Sequence, residues 1–192
     1  MASLRLTFAS LHDVELCGHA ALGERAAFGE LVRRHGSAVR GVLRRMGAPP
    51  AEADDVAQDA FLTAFERIAE FRGEGTFAAW AKKIAARLYL RRLQRERKLG
   101  ALTAEVAADD APRRADADAT IDLDGALKAL GATERMCVTM CFGAGLSHTE
   151  AAEALNLPLG TVKSHVKRGL DKLRARLAPD DGAVLEGRRG NG

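Results

Sequence analysis

The stretch LSHTEAAEALNLPLGTVKSHVKRGLDKL, residues 146–173, predicts two short helices joined by a tight turn. Ser147 and Glu150 have capping-box spacing, in which the hydroxyl and the carboxylate each accept a backbone N–H, so the first helix starts at a defined residue. Asn156 and Pro158 end that helix, because the residue before a proline is pushed out of helical geometry. The stretch therefore predicts a helical hairpin with defined ends.

The second helix of this hairpin, residues 160–176, separates apolar from polar positions. Its apolar residues recur at spacings of three and four and predict one buried stripe: Val162, Val166, Leu170, Leu173 and Leu177. The polar and basic positions point outward: Thr161, Lys163, Ser164, His165, Lys167 and Arg168. Side chains at the start of such a helix reach base edges in the major groove, while Lys and Arg neutralise phosphates. We interpret the pair as a DNA-reading helix-turn-helix; the alternative is the solvated face of an ordinary helical hairpin.

Charge is segregated along the chain, although the net charge is only +3. Residues 72–100 carry nine basic and two acidic side chains, a net charge of +7, and predict a phosphate-binding surface. Residues 101–126 carry seven acidic and two basic side chains, a net charge of −5, with much Ala and little large apolar content. Such a composition predicts a flexible tether rather than a packed segment.

The helical patterns and this tether together predict the organisation of the chain. No run resembles a series of β-strands, so we expect an all-α protein of two small helical domains joined by a flexible acidic linker. The domains are predicted at residues 25–99 and 123–178, with the linker at residues 100–122. The extension at residues 1–24 and the tail at residues 179–192 are expected to be disordered.

Targeting and redox features are few. The first residues lack a basic signal-peptide segment, and no apolar run matches the thickness of a membrane, so we expect a soluble cytoplasmic protein without membrane insertion. The cysteines Cys17, Cys137 and Cys141 are odd in number, which argues against a disulfide framework. With His19 or His148 they could hold a metal or sense oxidants, but small buried thiols are the commoner use. We therefore predict no metal and no cofactor.

A glycine loop in the N-terminal half directly precedes the basic segment. The glycines Gly73 and Gly75 interrupt the helical pattern before a helix that carries Trp80. Loops mounted on rigid helices are natural recognition sites, and a basic helix beside one can guide a single nucleic-acid strand. Phe77 and Trp80 could stack on bases or could belong to the core, and the sequence leaves both interpretations open.

Two segments of the chain together resemble one known protein family. The segment DDVAQDAFLTAFERIAEFRGEGTFAAWAKKIAARL, residues 54–88, followed by the helix-turn-helix, resembles the bacterial sigma-70 family, in particular its extracytoplasmic function (ECF) group. The similarity covers residues 25–177, first to conserved region 2 and then to region 4, with no region 3 between them. It implies a non-enzymatic initiation factor that binds core RNA polymerase through the β′ clamp and the β flap, binds promoter DNA, and is controlled by an anti-sigma factor.

The resemblance also implies residue roles. Four residues match the family's docking site on the β′ clamp: Asp54, Asp55, Gln58 and Asp59. Others match the loop that captures a flipped base of the minus-10 element and the helix bordering the melted strand: Arg72, Gly73, Glu74, Gly75, Thr76, Phe77, Trp80, Lys83 and Arg87. The minus-35 element is assigned to the outward residues of the last helix: Thr161, Lys163, Ser164, His165, Lys167 and Arg168.

Some positions depart from the family pattern. Arg87 and Arg91 stand where members often carry Asn and Asp, and Lys163 and His165 stand where arginine is frequent. Lysine is a point charge and lacks the two-pronged geometry that arginine presents to guanine. The general function is therefore predicted, and the promoter sequence is not.

Three other functions compete with the interpretation as a sigma factor. A stand-alone LuxR-type activator fits the helix-turn-helix almost equally well, but residues 25–99 show neither strand alternation nor a phosphoacceptor context. A sigma-like decoy that only binds an anti-sigma protein would not need the phosphate-binding charge of Lys163 and Lys167. An enzyme would need a nucleophile, a base and an orienting group, and no such set is recognisable.

Overall fold

The computed structural model describes residues 8–103 and 123–177. Within these ranges it contains α-helices and no β-strand, which confirms the all-α prediction. The helices are α1 Asp13–Ala21, α2 Arg25–Met46, α3 Pro50–Glu66, α4 Phe77–Thr103, α5 Leu123–Lys128, α6 Ala132–Val138, α7 His148–Leu155 and α8 Leu159–Leu177. Short 3-10 turns span Phe8–Ser10 and Ile68–Glu70, and a π-helical segment, Thr139–Gly143, continues α6. Most of the predicted acidic linker, residues 104–122, and the tail from residue 178 lie outside the described residues.

Helix α2 is the centre of the N-terminal unit, which we define as residues 8–103. Its apolar residues recur at helical spacing and are buried: Ala27, Phe28, Leu31, Val39, Val42, Leu43 and Met46. The helix ends at Gly47, whose φ of 108° favours glycine, and Pro50 opens α3 in its first turn, where a missing N–H costs nothing. Helices α3 and α4 both pack on α2, which gives a three-helix core.

The N-terminal extension belongs to this core, so the expectation of disorder is wrong for residues 8–24. Helix α1 packs on α2 and buries Leu16 and Cys17. The Arg34 guanidinium of α2 donates to the carbonyls of Phe8, Ala9 and Leu11, at 3.2, 2.9 and 2.8 Å, and to the Asp13 carboxylate at 3.0 Å. One planar cation therefore ties the turn before α1 to the centre of the unit.

The C-terminal unit, defined as residues 123–177, contains the predicted helical hairpin. The Glu150 N–H donates to Ser147 Oγ at 3.2 Å, and the Ser147 N–H donates to Glu150 Oε2 at 2.8 Å, which confirms the capping box. Asn156 ends α7 in the left-handed region, with φ 53°. A small separate core lies beneath α8: Ala126, Leu127, Leu130, Val138 and Leu173.

The two units also share a core. The buried residues Cys137, Met140, Ala144 and Leu146 form one continuous cluster with the N-terminal unit rather than with the small core beneath α8. The π-helical segment and α6 both contact α2, and Arg45 Nε donates to Asp124 Oδ1 at 2.7 Å. The helical units are thus joined by side-chain packing as well as by the chain itself.

None of the helices in the described ranges is long and apolar enough to cross a membrane.

Helices α6 and α8 approach so closely that one position must be glycine. A Cβ atom at Gly169 would lie 2.7 Å from Val138 Cγ2, whereas a Cβ atom at Gly160 on the same helix would meet no atom within 4 Å. We expect Gly169→Ala to lower the free energy of unfolding by about 1–2 kcal/mol, because the β-branched Val138 has little freedom to move away. Gly160→Ala should be neutral or slightly stabilising in the same urea titration. Equal effects of the two substitutions would contradict this packing.

The Arg34 contacts predict how the N-terminal extension is held. We expect Arg34→Ala to speed amide hydrogen exchange of α1 by about tenfold or more, because four acceptors lose their common donor. Arg33→Ala is the matched control, since Arg33 is exposed and, among the residues that the structure describes, pairs only with Glu30 one turn away. If both variants leave exchange in α1 unchanged, Arg34 does not hold the extension.

Candidate nucleic-acid and protein interfaces

An acidic face lies along α3 and consists of Asp54, Asp55, Gln58 and Asp59. All four side chains are exposed, and within residues 8–103 and 123–177 only Asp54 has a cation nearby, Arg40 Nε at 3.5 Å. The structure therefore brings together the four residues that the sequence assigned to one site. Leu62 follows on the same face and is 57% exposed, although it is large and apolar. Leu62 was not predicted as a site residue, although an apolar residue on the polar side of the helical pattern indicates a contact surface.

The glycine loop, residues 72–76, is exposed along its whole length. Gly73 and Gly75 have φ values of 75° and 85°, which β-carbon-bearing residues rarely adopt, so the sequence needs glycine at both places. Thr76 Oγ1 accepts the Ala79 N–H at 3.2 Å and caps the start of α4. The loop is thus anchored at the helix and open to solvent above it.

An aromatic cluster supports this loop from below. The Phe77 ring is only 1% exposed and lies 6.2 Å from Phe28, 6.0 Å from Phe71 and 5.9 Å from Trp80, measured between ring centroids. Phe77 is therefore a core residue, and its assignment as a residue that contacts DNA is corrected. Trp80 is half-buried, so part of its ring is accessible beside the loop. Local sequence could not separate these two aromatics, because their burial depends on helices α2 and α3.

The cations Lys83 and Arg87 lie one turn apart on α4 and share one carboxylate. Lys83 Nζ is 2.8 Å and Arg87 Nη2 is 2.7 Å from Oε1 of Glu150, which belongs to α7 of the C-terminal unit. Burial acts to raise the pKa of Glu150, but the Lys83 ammonium and the Ser147 amide and hydroxyl outweigh it and hold the pKa at about 2. From the sequence, Glu150 was predicted only as a capping residue. Its ion pairs with Lys83 and Arg87 could not be predicted from local spacing, because these residues are 63 or more positions away in the chain.

The recognition surface of α8 was predicted as Thr161, Lys163, Ser164, His165, Lys167 and Arg168. Lys163 and Lys167 are exposed, lie one turn apart and have no ion pair within the part of the chain that the structure describes. Ser164 Oγ donates to the Gly160 carbonyl at 2.8 Å, and His165 Nδ1 lies 3.2 Å from Arg168 Nη2. Thr161 and His165 are half-buried. The two lysines are thus the most available cations of the set.

Glu134 fixes the opposite side of α8. Its side chain is 11% exposed, and its carboxylate lies 2.7 Å from Lys172 Nζ and 3.8 Å from Arg168 Nε. The hydrogen bond from Lys172 lowers the pKa of Glu134. Arg168 is therefore directed partly toward α6 rather than entirely outward. No role was predicted for Glu134 from the sequence.

The cysteines form no reactive centre in the described part of the chain. Cys17 and Cys137 are buried, and burial raises the pKa of each thiol to about 11, which keeps both protonated at neutral pH. Among the described residues no group of three or more His, Cys, Asp or Glu side chains could hold a metal ion.

Comparison with known proteins identifies both units. A model of sigma-70 region 2 matches residues 31–99, and a model of sigma-70 region 4 matches residues 126–175. The RNA polymerase sigma factor NccH of Alcaligenes xylosoxydans xylosoxydans is 32% identical, over 86% of this chain and 94% of NccH. The ECF RNA polymerase sigma factor SigM of Mycobacterium tuberculosis H37Rv is 32% identical, over 86% of this chain and 83% of SigM. The solved structure of CnrH in complex with the cytosolic domain of CnrY matches with a TM-score of 0.50 and 29% identity, over 86% and 96% of the two chains.

The low pKa of Glu150 predicts a dependence of stability on pH. A carboxyl group whose pKa is depressed from 4.5 to about 2 stabilises the folded chain at pH above 4.5, and this contribution is lost as the pH falls toward 2. At pH 7 we expect Glu150→Gln to lower the free energy of unfolding by about 1 kcal/mol, because solvent screens the partly exposed pair. The difference between variant and wild type should shrink toward zero near pH 2. A difference that stays constant from pH 7 to pH 2 would contradict the ion pairing.

Proposed function

This chain belongs to the ECF group of the sigma-70 family, and we propose which of its surfaces contacts RNA polymerase and which surfaces contact promoter DNA. As an RNA polymerase sigma factor, it binds both of these partners. The acidic face of α3 docks on the polymerase β′ clamp. The glycine loop and α4 hold the melted minus-10 strand, and α8 reads the minus-35 duplex. The polymerase β flap binds elsewhere on the C-terminal unit. The match of residues 31–99 to sigma-70 region 2 gives no support to the LuxR-type alternative.

One observation carries this proposal. The exposed acidic face and the exposed glycine loop lie on the same helical unit, since α3 and α4 both pack on α2. A factor that anchors to polymerase while it holds an opened strand needs these two surfaces in a fixed relation. The shared core supplies that relation, because the helix that carries the acidic face and the helix that follows the loop both pack on α2.

The polymerase contact is supported by the chemistry of the acidic face. Three carboxylates and an amide precede the exposed Leu62 on the same side of α3, so an apolar contact lies next to polar ones. A basic partner surface with a small apolar depression would complement it. We propose that Leu62 supplies a central contact and that Asp55, Gln58 and Asp59 orient the partner.

The single-strand contact is supported by the arrangement around the loop. Glycine backbone lets a strand approach closely, and Arg72 offers an exposed cation at one end of the loop. The accessible part of Trp80 provides a surface on which a base can stack. Unstacking a base costs a few kcal/mol, and a pocket with a nearby cation can offset that cost.

The duplex contact is supported by Lys163 and Lys167, which project from the first half of α8. Lysines at this place neutralise phosphates and favour binding at low salt. Thr161 and Ser164 lie on the first turns of the same helix, where side chains reach base edges.

An inhibitory partner is proposed from a relative. The CnrH structure contains the cytosolic domain of CnrY, and we propose that this chain is likewise held by an anti-sigma factor. Within the cell we place the chain in the cytoplasm, where the polymerase acts.

Reconstituted run-off transcription tests the proposal. Core RNA polymerase with this chain should give specific transcripts from a promoter found by sequencing transcripts after overexpression, and core enzyme alone should not. Leu62→Asp should abolish the transcripts without unfolding the chain, because the side chain is already exposed. Specific transcripts of undiminished yield from Leu62→Asp would remove the acidic face from the polymerase contact.

The salt dependence of duplex binding tests the assignment of α8. For a duplex carrying the same promoter, we expect Lys163→Ala to weaken binding and to reduce the slope of log K against log salt by about 1, because one phosphate contact is lost. The matched control is Arg174→Ala on the same helix, where Arg174 pairs with Asp171 at 3.0 Å. An unchanged slope in Lys163→Ala would place Lys163 outside the DNA interface.

A further inference from the structure

Two of the cations proposed to border the melted strand are already ion-paired within the chain. Lys83 and Arg87 both pair with Glu150, and these ion pairs cross from the N-terminal unit to the C-terminal unit. Phosphates of a bound strand would need the same ammonium and guanidinium groups. Strand binding at this place therefore competes with the Glu150 ion pairs for the same two cations.

Other contacts keep α7 against α4 in the same arrangement. The Gln94 side-chain amide, two turns after Arg87, donates to the Ala154 carbonyl at the end of α7. Arg45 reaches Asp124 at the start of the C-terminal unit. A cleft between α4 and α7 is lined by residues of both helices: Arg87, Leu90, Arg91, Gln94, Glu150, Glu153 and Ala154. A strand following α4 from the glycine loop would meet α7 in its path.

The apolar part of the contact is continuous with the main core. Met140 and Cys137 are fully buried and belong to the cluster built around α2. Gly143 of the π-helical segment lies close to Val42, so that an added Cβ atom would stand 3.7 Å from Val42 Cγ2. We call this arrangement, in which α7 lies against α4, closed, and we call the ion pairs of Glu150 with Lys83 and Arg87 the latch. The closed arrangement thus combines an apolar contact with these ion pairs.

We propose that the C-terminal unit inhibits the N-terminal unit within the same chain, with Glu150 of α7 acting as an intramolecular substitute for DNA phosphate on Lys83 and Arg87. The inference rests on the role proposed above for these two cations. The free chain is closed, and the two units separate before α4 receives the melted strand. The apparent dissociation constant for single-stranded DNA then equals the intrinsic constant divided by the open fraction.

Glu150→Gln tests this latch with little disturbance of the fold. Glutamine retains the capping-box hydrogen bonds to Ser147 and loses the charge that holds Lys83 and Arg87. The matched control is Glu153→Gln, one turn further along α7. Glu153 is exposed, lines the same cleft and forms no ion pair within the described residues. Both variants lose one negative charge, so the general electrostatic effect on DNA binding is the same.

The first measurement is binding of a labelled 20-nucleotide single strand of mixed sequence to the full chain, followed by fluorescence anisotropy at low salt. We expect Glu150→Gln to bind roughly threefold to tenfold more tightly than wild type, because a weaker latch raises the open fraction. Glu153→Gln should bind within about twofold of wild type. Equal gains in the two variants would overturn the proposal, since general charge would then explain them.

The second measurement reports opening without DNA. Both thiols belong to the main core cluster, but Cys137 lies on α6 of the C-terminal unit where that helix contacts α2, whereas Cys17 lies on α1, which packs on α2 and the Ile68–Glu70 turn within the N-terminal unit. We expect Glu150→Gln to raise the alkylation rate of Cys137 relative to that of Cys17, by about the factor seen in strand binding. Glu153→Gln should leave the ratio unchanged. An unchanged ratio in Glu150→Gln would overturn the latch.

The two measurements also separate this inference from the proposed function. If Cys137 becomes more reactive in Glu150→Gln and neither variant nor wild type binds the single strand, the contact between the units is supported. In that case the role of Lys83 and Arg87 in strand binding is contradicted. The proposed inhibition of the N-terminal unit by the C-terminal unit is then contradicted as well.

Discussion

Helix α2 carries an apolar side too wide for any single neighbour to cover. Its fully buried residues, Leu31, Val39 and Leu43 among them, each contribute about 1.5–3 kcal/mol when removed from water. Helix α1 covers the first part, α3 and α4 cover the flanks, and α6 with the π-helical segment covers the last part. Because the final cover comes from the C-terminal unit, the burial of α2 couples the two units. The acidic face, the glycine loop and the closed arrangement of α7 on α4 all depend on this single buried helix.

The distribution of ion pairs decides which basic residues are available to partners. The sequence contains a strongly basic segment, but Lys83 and Arg87 are held by Glu150, and Arg168 and Lys172 are held by Glu134. Lys163 and Lys167 lack such partners in the described part of the chain. In the free chain the cations of α8 proposed to contact duplex DNA are therefore unpaired within the described residues, whereas Lys83 and Arg87, proposed to border the melted strand, are ion-paired. With the roles proposed above, the chain would contact duplex DNA first and expose Lys83 and Arg87 later.

Features that depend on neighbouring residues could be predicted from the sequence. The capping box of Ser147 and Glu150, the break after Met46 and the apolar stripe of α8 each follow from spacings of a few residues. The four residues of the acidic face were assigned through the family resemblance, and they lie on one turn or adjacent turns of α3. Family resemblance then supplied the roles that spacing alone does not.

Features that depend on distant residues were missed or misassigned. Arg34 binds carbonyls 23 to 26 residues earlier in the chain, and without that contact residues 8–24 look like an unanchored extension. Phe77 follows a flexible-looking loop, yet its ring is buried against Phe28 of α2. Glu150 satisfies a local capping rule completely, so no unmatched charge pointed to its second role. Such contacts are set by tertiary packing, and local patterns do not encode them.

Small-angle X-ray scattering of the free full-length chain tests the central claim that both units share one core around α2. A single closed body of this length has a radius of gyration of about 16 Å, slightly increased by any extended tail. The account predicts a value close to this, with a single maximum in the pair-distance distribution at low salt. A distribution with a second maximum or a clear shoulder at longer distance, from two bodies separated by the linker, would contradict it.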